Sequence, residues 1–143
     1  WMRKRAAGHI VNIASISAIV PFATLAPYNA SKFAVLGFSE TLMQELRGQP
    51  IHVSCVLPGG VRTNIARHGM ARGFSADDAD RFGRFARTSP DRAGERIACG
   101  IERNEERIFV GIDAKILAAA KRMFPAATVH TVGYASRDLR PAP

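Results

Sequence analysis

Tyr28 and Lys32 stand four residues apart, at the start of a helix-like run that continues through Leu42. Residues at this spacing lie on one face of an α-helix, so the sequence predicts that a phenol and an ammonium group face the same site. A lysine cation held close to a tyrosine favours the phenolate, which makes Tyr28 a candidate general acid/base. The same pair also occurs on ordinary solvated helix surfaces, so the pair alone leaves both interpretations open.

Ser15 is the second candidate for chemistry, and it stands thirteen positions before Tyr28 at the end of the apolar run 8–14. That run is typical of a parallel strand that is covered on both faces. Ligands of open α/β sheets bind at the carboxyl ends of the strands, which is where Ser15 is predicted to lie. Ser17 is the reserve candidate, with a loop hydrogen bond as its alternative role.

The elements around these residues form a strand, a helix and a second strand. The helix that carries Tyr28 is predicted to begin near Pro27 and to end at about Arg47, before a helix-stopping glycine and proline. Residues 51–57 are rich in β-branched side chains and predict a strand that ends at Pro58. A strand, helix and strand of these lengths predict a parallel βαβ unit with a right-handed crossover.

The rest of the chain predicts two more helices and one more strand. Ser89, followed by proline and an acid, is a helix start signal. Residues 107–111 predict a third strand, and residues 113–124 a basic amphipathic helix with its apolar side on the core. A membrane-surface role for that helix is the alternative. Residues 126–143 have little pattern and are expected to be disordered.

Taken together, these features resemble the short-chain dehydrogenase/reductase superfamily over residues 8–125. Members carry a serine at a strand end, then a Tyr-x-x-x-Lys helix, then a strand that ends in Pro-Gly. Ser15, Tyr28, Lys32 and Pro58-Gly59 match this order. The resemblance implies the carboxyl-terminal part of a Rossmann-like, doubly wound parallel α/β sheet, with about three strands and covering helices. Residues 1–143 would form a single, partial domain of that fold.

The resemblance also implies an NAD(P)-dependent oxidoreductase that interconverts an alcohol and a carbonyl by hydride transfer. Tyr28 would be the general acid/base, Lys32 would support the phenolate and hold the nicotinamide ribose, and Ser15 would hydrogen-bond the substrate oxygen. The residues that the resemblance places against the cofactor are Tyr28, Lys32, Pro58, Gly59, Val61 and Thr63, with Thr63 near the carboxamide.

Two further expectations concern the substrate and the assembly. Residues 64–88 are predicted to be a mobile substrate lid, with an ordinary surface connection as the alternative. Three phenylalanines in it, Phe74, Phe82 and Phe85, fit an apolar substrate or simple packing. The helix from Tyr28 to Arg47 has more apolar residues than one face needs, and in the family the equivalent helix packs against a partner, so a homo-oligomer is expected.

The family's glycine-rich Gly-x-x-x-Gly-x-Gly turn, which seats the cofactor pyrophosphate, is absent from the 143 residues. The family's catalytic asparagine on an earlier helix has no counterpart either. The chain is therefore expected to be a fragment with an unpaired edge at strand 10–13, prone to association and weak in cofactor binding. The choice between NAD and NADP stays open. A non-catalytic binding or assembly module of the same descent is the alternative.

The composition of the chain limits the remaining classes of protein and of binding site. No apolar run approaches the ~20 residues of a membrane span and no signal peptide core follows the basic start, so a cytoplasmic protein without a membrane span is expected. The net charge of +8 comes from scattered arginines without a zinc or RNA-binding motif, so no nucleic-acid partner is expected. The histidines lack ligand spacing, so no metal is expected. Cys55 and Cys99 are expected to be buried thiols in a reducing compartment.

Overall fold

The computed structural model describes residues 1–63 and 86–136. Three parallel strands in the order β1-β2-β3 form the sheet of the described residues. This arrangement confirms the expected α/β architecture with three strands and covering helices. The elements in chain order are α1 (Met2–Arg5), β1 (Gly8–Ile13), a 3₁₀ turn (Ile16–Ala18), α2 (Ala26–Glu45), β2 (Ile51–Pro58), α3 (Pro90–Glu102), β3 (Arg107–Val110), α4 (Ile112–Met123) and α5 (Pro125–Ala135).

Strand β2 is the centre of the core, because it lies between the other two strands and is covered on both faces. Side chains alternate along a strand, so Cys55 and Leu57 face one side of the sheet and Val56 faces the other. Cys55 and Leu57 pack with apolar residues of α2, whereas Val56 packs with Ile108 of β3 and Ala93 of α3. The sheet is therefore held between α2 and α3.

Strand β1 is less buried than its sequence suggests. None of its six residues is fully buried, and the side chain of Ile13 is 50% exposed. Within the described residues β1 pairs with β2 on one side and forms an edge of the sheet. Ile10 packs against the cluster that includes Leu46 and Val53, and Val11 packs against the cluster that includes Val56 and Ala93, so both faces of β1 are covered as expected, although incompletely. In the part of the chain that the structure describes, the edge of β1 away from β2 is unpaired. Such an edge offers backbone hydrogen-bonding groups to another chain.

A buried polar contact joins α2 to β1. Ser39 is fully buried on α2, where its hydroxyl donates to the Val35 carbonyl and accepts a 3.0 Å hydrogen bond from Asn12 Nδ2. The helix spans nearly the predicted residues. Its outer surface leaves two large apolar side chains exposed, Phe33 at 44% and Phe38 at 59%.

A second polar contact joins β1 to β2 on the opposite face. His9 Nε2 lies 2.8 Å from Ser54 Oγ, and Ser54 donates its own proton to the Glu105 carbonyl at 2.6 Å. Because the serine proton is used in that bond, His9 must be the donor to Ser54. Burial lowers the pKa of the His9 imidazole from its ordinary value, and the neighbouring His52 lowers it further.

Helix α3 begins as the sequence predicts. Ser89 lies at its N-terminal cap and accepts a 3.3 Å hydrogen bond from the Arg92 backbone N–H, which satisfies one of the free amides of the first turn. Gly100 lies on the buried side of α3, where a Cβ would come within 2.7 Å of the Ile108 side chain. The helix thus approaches β3 more closely than a larger residue would allow.

The two carboxyl-terminal helices differ from the sequence predictions. Helix α4 buries only Ala114 completely, and Ile116 and Phe124 are 59% and 60% exposed, so the predicted apolar core face is wrong at those positions. The predicted disorder from residue 126 is also wrong over α5, where Thr128 is buried and donates to the Phe124 carbonyl. This segment has no charged residues and hence no polar periodicity to reveal a helix. Residues 137–143 lie outside the described residues.

Candidate active site

The residues singled out in the sequence meet at one edge of the sheet. Parallel pairing places Ile13 of β1 opposite Val56 of β2, and the Ala14 N–H donates to the Val56 carbonyl at 2.9 Å. The carboxyl ends of both strands therefore lie side by side. Ser15 leaves β1 at this edge, and the segment that begins at Pro58 leaves β2 from it.

Ser15 is held in an extended conformation at the cap of the 3₁₀ turn and is only 9% exposed. Its Oγ accepts a 3.1 Å hydrogen bond from the backbone N–H of Ser17. Within the described part of the chain its own proton is used in no hydrogen bond, so the hydroxyl can donate to a ligand oxygen. Ser17 is 4% exposed and supports this turn through its backbone.

Lys32 links the helix to the end of β1. Its Nζ donates to the Ile13 carbonyl at 3.2 Å and lies 5.6 Å from the centre of the Tyr28 ring. Both side chains are half-buried on the same face of α2. An ammonium has three N–H donors, so the bond to Ile13 fixes the position of Nζ and leaves two donors for other groups. The predicted tyrosine and lysine pair is thus formed. The carbonyl that holds Lys32 belongs to Ile13, which lies two residues before Ser15 in the chain.

Asn29 positions the start of α2, and the sequence analysis missed it. The side chain is 7% exposed and clamps Phe22, donating to its carbonyl at 2.7 Å and accepting from its N–H at 3.4 Å. The clamp fixes the connection that leads into the helix immediately before Tyr28. A polar residue between apolar ones in the first helical turn was the available signal for it.

The segment after β2 is held by β3 and α4. The Gly59 N–H donates to the Val110 carbonyl at 2.9 Å, and the Gly60 N–H donates to Asp113 Oδ2 at 2.6 Å. Val61 forms a parallel bridge with Thr88. Thr63 is exposed at the end of this segment. From the sequence, Asp113 is only the first residue of the predicted helix 113–124, and no local pattern predicts its contact with Gly60.

Part of the predicted site lies outside the described residues. The residues that the structure does not describe include most of the predicted lid and its three phenylalanines, Phe74, Phe82 and Phe85. Over residues 1–63 and 86–136 there is no cluster of three or more metal-ligating side chains. The same two ranges contain no helix that is long and apolar enough to cross a membrane.

Comparisons with known proteins identify the family. The family model described as short chain dehydrogenase matches residues 1–72. SadH of Mycobacterium tuberculosis is 37% identical over 123 residues, which cover 81% of this chain and 44% of SadH. The chain therefore belongs to the short-chain dehydrogenase family, as its motifs predict, and spans less than half the length of this curated relative.

Solved structures show the same fold. A short chain dehydrogenase from Burkholderia cenocepacia has a TM-score of 0.72 at 22% identity, and the match covers 92% of this chain and 49% of that one. A short chain dehydrogenase/reductase from Burkholderia phymatum also has a TM-score of 0.72, at 20% identity, over 99% of this chain and 53% of that one. The fold of this chain is thus Rossmann-like and matches about half of each of these solved chains.

Proposed function

We propose that this chain carries the catalytic part of an NAD(P)-dependent oxidoreductase that interconverts an alcohol and a carbonyl. The observation that carries the proposal is the position of Lys32, whose Nζ is fixed on the Ile13 carbonyl beside the Tyr28 ring. In the proposed site this ammonium, the Tyr28 phenol and the Ser15 hydroxyl act together at the carboxyl edge of the parallel sheet, where open α/β folds bind ligands.

Each of the three side chains has a distinct role in the proposed reaction. In the reducing direction Tyr28 gives its phenolic proton to the carbonyl oxygen, and in the oxidising direction it takes the proton from the hydroxyl. The Lys32 ammonium stabilises the phenolate that forms when the proton leaves. The Ser15 hydroxyl donates to the substrate oxygen and stabilises the negative charge that develops on it. The substrate is a small-molecule alcohol or carbonyl compound.

The residues present fit the nicotinamide end of the cofactor. Lys32 keeps two N–H donors for the ribose hydroxyls. Backbone hydrogen bonds hold the segment that would lie against the nicotinamide, which contains Pro58, Gly59, Val61 and Thr63. Bound NAD(P) supplies the hydride donor or acceptor. The Burkholderia cenocepacia structure is a complex with NADP and the Burkholderia phymatum structure a complex with NAD, which supports NAD(P) for this chain without a choice between them.

Saturation-transfer-difference NMR with the separate halves of the cofactor tests this assignment on the 143-residue chain. We expect magnetisation transfer to the nicotinamide protons of nicotinamide mononucleotide and none to adenosine 2′,5′-bisphosphate. Lys32→Met keeps the aliphatic stem and is expected to reduce the transfer several-fold.

Lys121→Met is the matched control, because Lys121 also donates to a backbone carbonyl at 3.2 Å but lies on α4. It should leave the transfer unchanged. Absence of transfer to nicotinamide mononucleotide from the unmodified chain would contradict the proposed cofactor site and favour the non-catalytic module.

We further propose that α2 mediates contact between copies of the chain. Phe33 and Phe38 project from its outer surface into solvent, and two exposed phenylalanines on one helix favour association. Sedimentation velocity tests this with Phe38→Glu, which is expected to shift the chain toward monomer. Phe124→Glu is the matched control, since Phe124 is 60% exposed but lies beyond α4. Equal effects of the two variants would argue against a specific contact through α2.

A cytoplasmic location is part of the proposal. Cys55 and Cys99 are free thiols, which suits a reducing compartment. Recovery of the protein in the cytosolic fraction with both thiols reduced is the expected result, and recovery from a secreted fraction would contradict it.

A further inference from the structure

The carboxylate of Asp113 serves a neighbouring segment and not its own helix. Asp113 lies in the first turn of α4, but α4 has no side-chain hydrogen bond at its N-terminal cap. Its Oδ2 instead accepts a 2.6 Å hydrogen bond from the backbone N–H of Gly60, 53 residues earlier in the chain. A hydrogen bond to an ionised acceptor is roughly twice as strong as one between neutral groups.

Two glycines leave space for this carboxylate. A Cβ at Gly59 would overlap both carboxylate oxygens of Asp113, and a Cβ at Gly111 would overlap its Oδ1. Gly111 also has φ +95, a conformation that L side chains rarely adopt. The close approach of Asp113 is therefore a physical reason for glycine at both positions, and the positive φ is a second reason at Gly111.

We propose that Asp113 is the positioning residue for the segment that lies against the nicotinamide. The inference rests on the proposed function, because that function gives Pro58, Gly59, Val61 and Thr63 their place beside the cofactor. Asp113 touches neither substrate nor cofactor in this proposal. It acts through the Gly60 amide, whose position sets the direction in which the backbone continues to Val61.

The Asp113 hydrogen bond complements the other contacts of the segment. The Gly59 N–H already donates to the Val110 carbonyl, and the Arg62 N–H donates to the Thr88 carbonyl at 2.9 Å. The Gly60 N–H lies between these two and is bound only by Asp113 among the described residues. The Gly60 carbonyl also accepts a 3.2 Å hydrogen bond from the Thr88 N–H. Removal of the carboxylate therefore frees the Gly60 N–H, while the backbone hydrogen bonds to Val110 and Thr88 remain.

Three variants separate positioning from a general effect on the helix. Asp113→Ala removes the acceptor, and Asp113→Asn keeps an amide oxygen that can still accept from Gly60. Asp91→Ala is the matched control, because Asp91 is also an acid in the first turn of a helix, α3, but is exposed. If Asp113→Ala acted only through the loss of a favourable helix-dipole interaction, Asp91→Ala and Asp113→Ala would lower the stability of the chain by similar amounts.

Amide hydrogen exchange at Gly60, followed by NMR, measures the contact directly and needs no cofactor. Exchange of the Gly60 amide should be about tenfold or more faster in Asp113→Ala than in the unmodified chain. Asp113→Asn should keep most of the protection against exchange, and Asp91→Ala should keep all of it. Unchanged protection in a folded Asp113→Ala protein would overturn the inference. If Asp113→Ala does not fold, Asp113→Ser is the second variant, because it shortens the side chain, and unchanged protection of the Gly60 amide in that protein would overturn the inference.

Binding of nicotinamide mononucleotide measures the consequence for the cofactor segment. We expect several-fold weaker binding by Asp113→Ala, substantial recovery in Asp113→Asn, and no change in Asp91→Ala. Faster exchange with unchanged binding would overturn the positioning role. If the unmodified chain does not bind nicotinamide mononucleotide at all, the proposed function fails and the cofactor part of this inference fails with it, while the exchange measurement still decides the contact between Asp113 and Gly60.

Discussion

Replacement of Asn29 by alanine should destabilise the chain far more than replacement of its neighbour Ser31. Asn29 is buried and makes a 2.7 Å and a 3.4 Å hydrogen bond with the Phe22 backbone, so Asn29→Ala leaves a carbonyl and an N–H without partners. One short bond is worth about 1–1.5 kcal/mol and the longer bond less, and the desolvation of the orphaned groups raises the total loss to about 2–3 kcal/mol. Ser31→Ala removes an exposed hydrogen bond to the Tyr28 carbonyl and should cost less than ~0.5 kcal/mol.

Urea unfolding followed by circular dichroism measures both changes. With ~2–4 °C per kcal/mol for a chain of this size, Asn29→Ala should also lower the melting temperature by about 5–10 °C. Asn29→Asp keeps an acceptor for the Phe22 N–H but places a carboxylate against the Phe22 carbonyl, so it should not restore the stability. A loss in Asn29→Ala no larger than that in Ser31→Ala would refute the role assigned to the clamp.

Three further predictions follow from the buried contacts. Folding lowers the pKa of His9 from 6.5, so the unfolded state binds more protons than the folded state as the pH falls below 6.5. The contribution of neutral His9 to the free energy of unfolding is therefore complete above pH 6.5 and is lost as the pH falls through the pKa of the folded state. Urea midpoints should show this decline, and an equal slope in His9→Gln would contradict it. Gly100→Ala should lower the free energy of unfolding by about 1–3 kcal/mol, because the added methyl group crowds Ile108. The Gly100→Ala/Ile108→Val double variant should recover part of this loss, and purely additive losses would argue against the contact. Burial raises the pKa of the Cys55 thiol, so Cys99, which is only partly buried, should react first with a thiol reagent, and a fast phase that persists in Cys99→Ser would contradict this order.

Local sequence signals were sufficient for the strands, for the main helix and for the positions of Ser15, Tyr28 and Lys32 on them. The spacing of Tyr28 and Lys32 depends only on helix geometry, and Ser15 follows a strand whose apolar pattern is continuous. The Ser89 cap and the stop at Pro58 are likewise signals within a few residues. Their positions in the structure agree with the sequence predictions for this reason.

The remaining features depend on contacts between distant parts of the chain. The bond from Gly60 to Asp113 joins residues 53 apart, and no local pattern assigns that partner to the first acid of a helix. The exposure of Ile116 depends on which face of α4 meets the sheet, which the apolar spacing alone leaves undetermined. Strand β1 has the composition of a buried strand, but its burial depends on neighbours that its own residues do not specify.

Oxidation of NADPH by the 143-residue chain and by Tyr28→Phe, with a panel of aldehydes and ketones at millimolar cofactor, tests the central claim most directly. The proposed role of Tyr28 as proton donor predicts slow turnover by the unmodified chain and a loss of about 10²–10⁴-fold in Tyr28→Phe, because phenylalanine keeps the ring and lacks the hydroxyl that carries the proton. Equal rates for the two proteins would contradict that role. No turnover by either protein would contradict catalysis by this chain and favour the non-catalytic module.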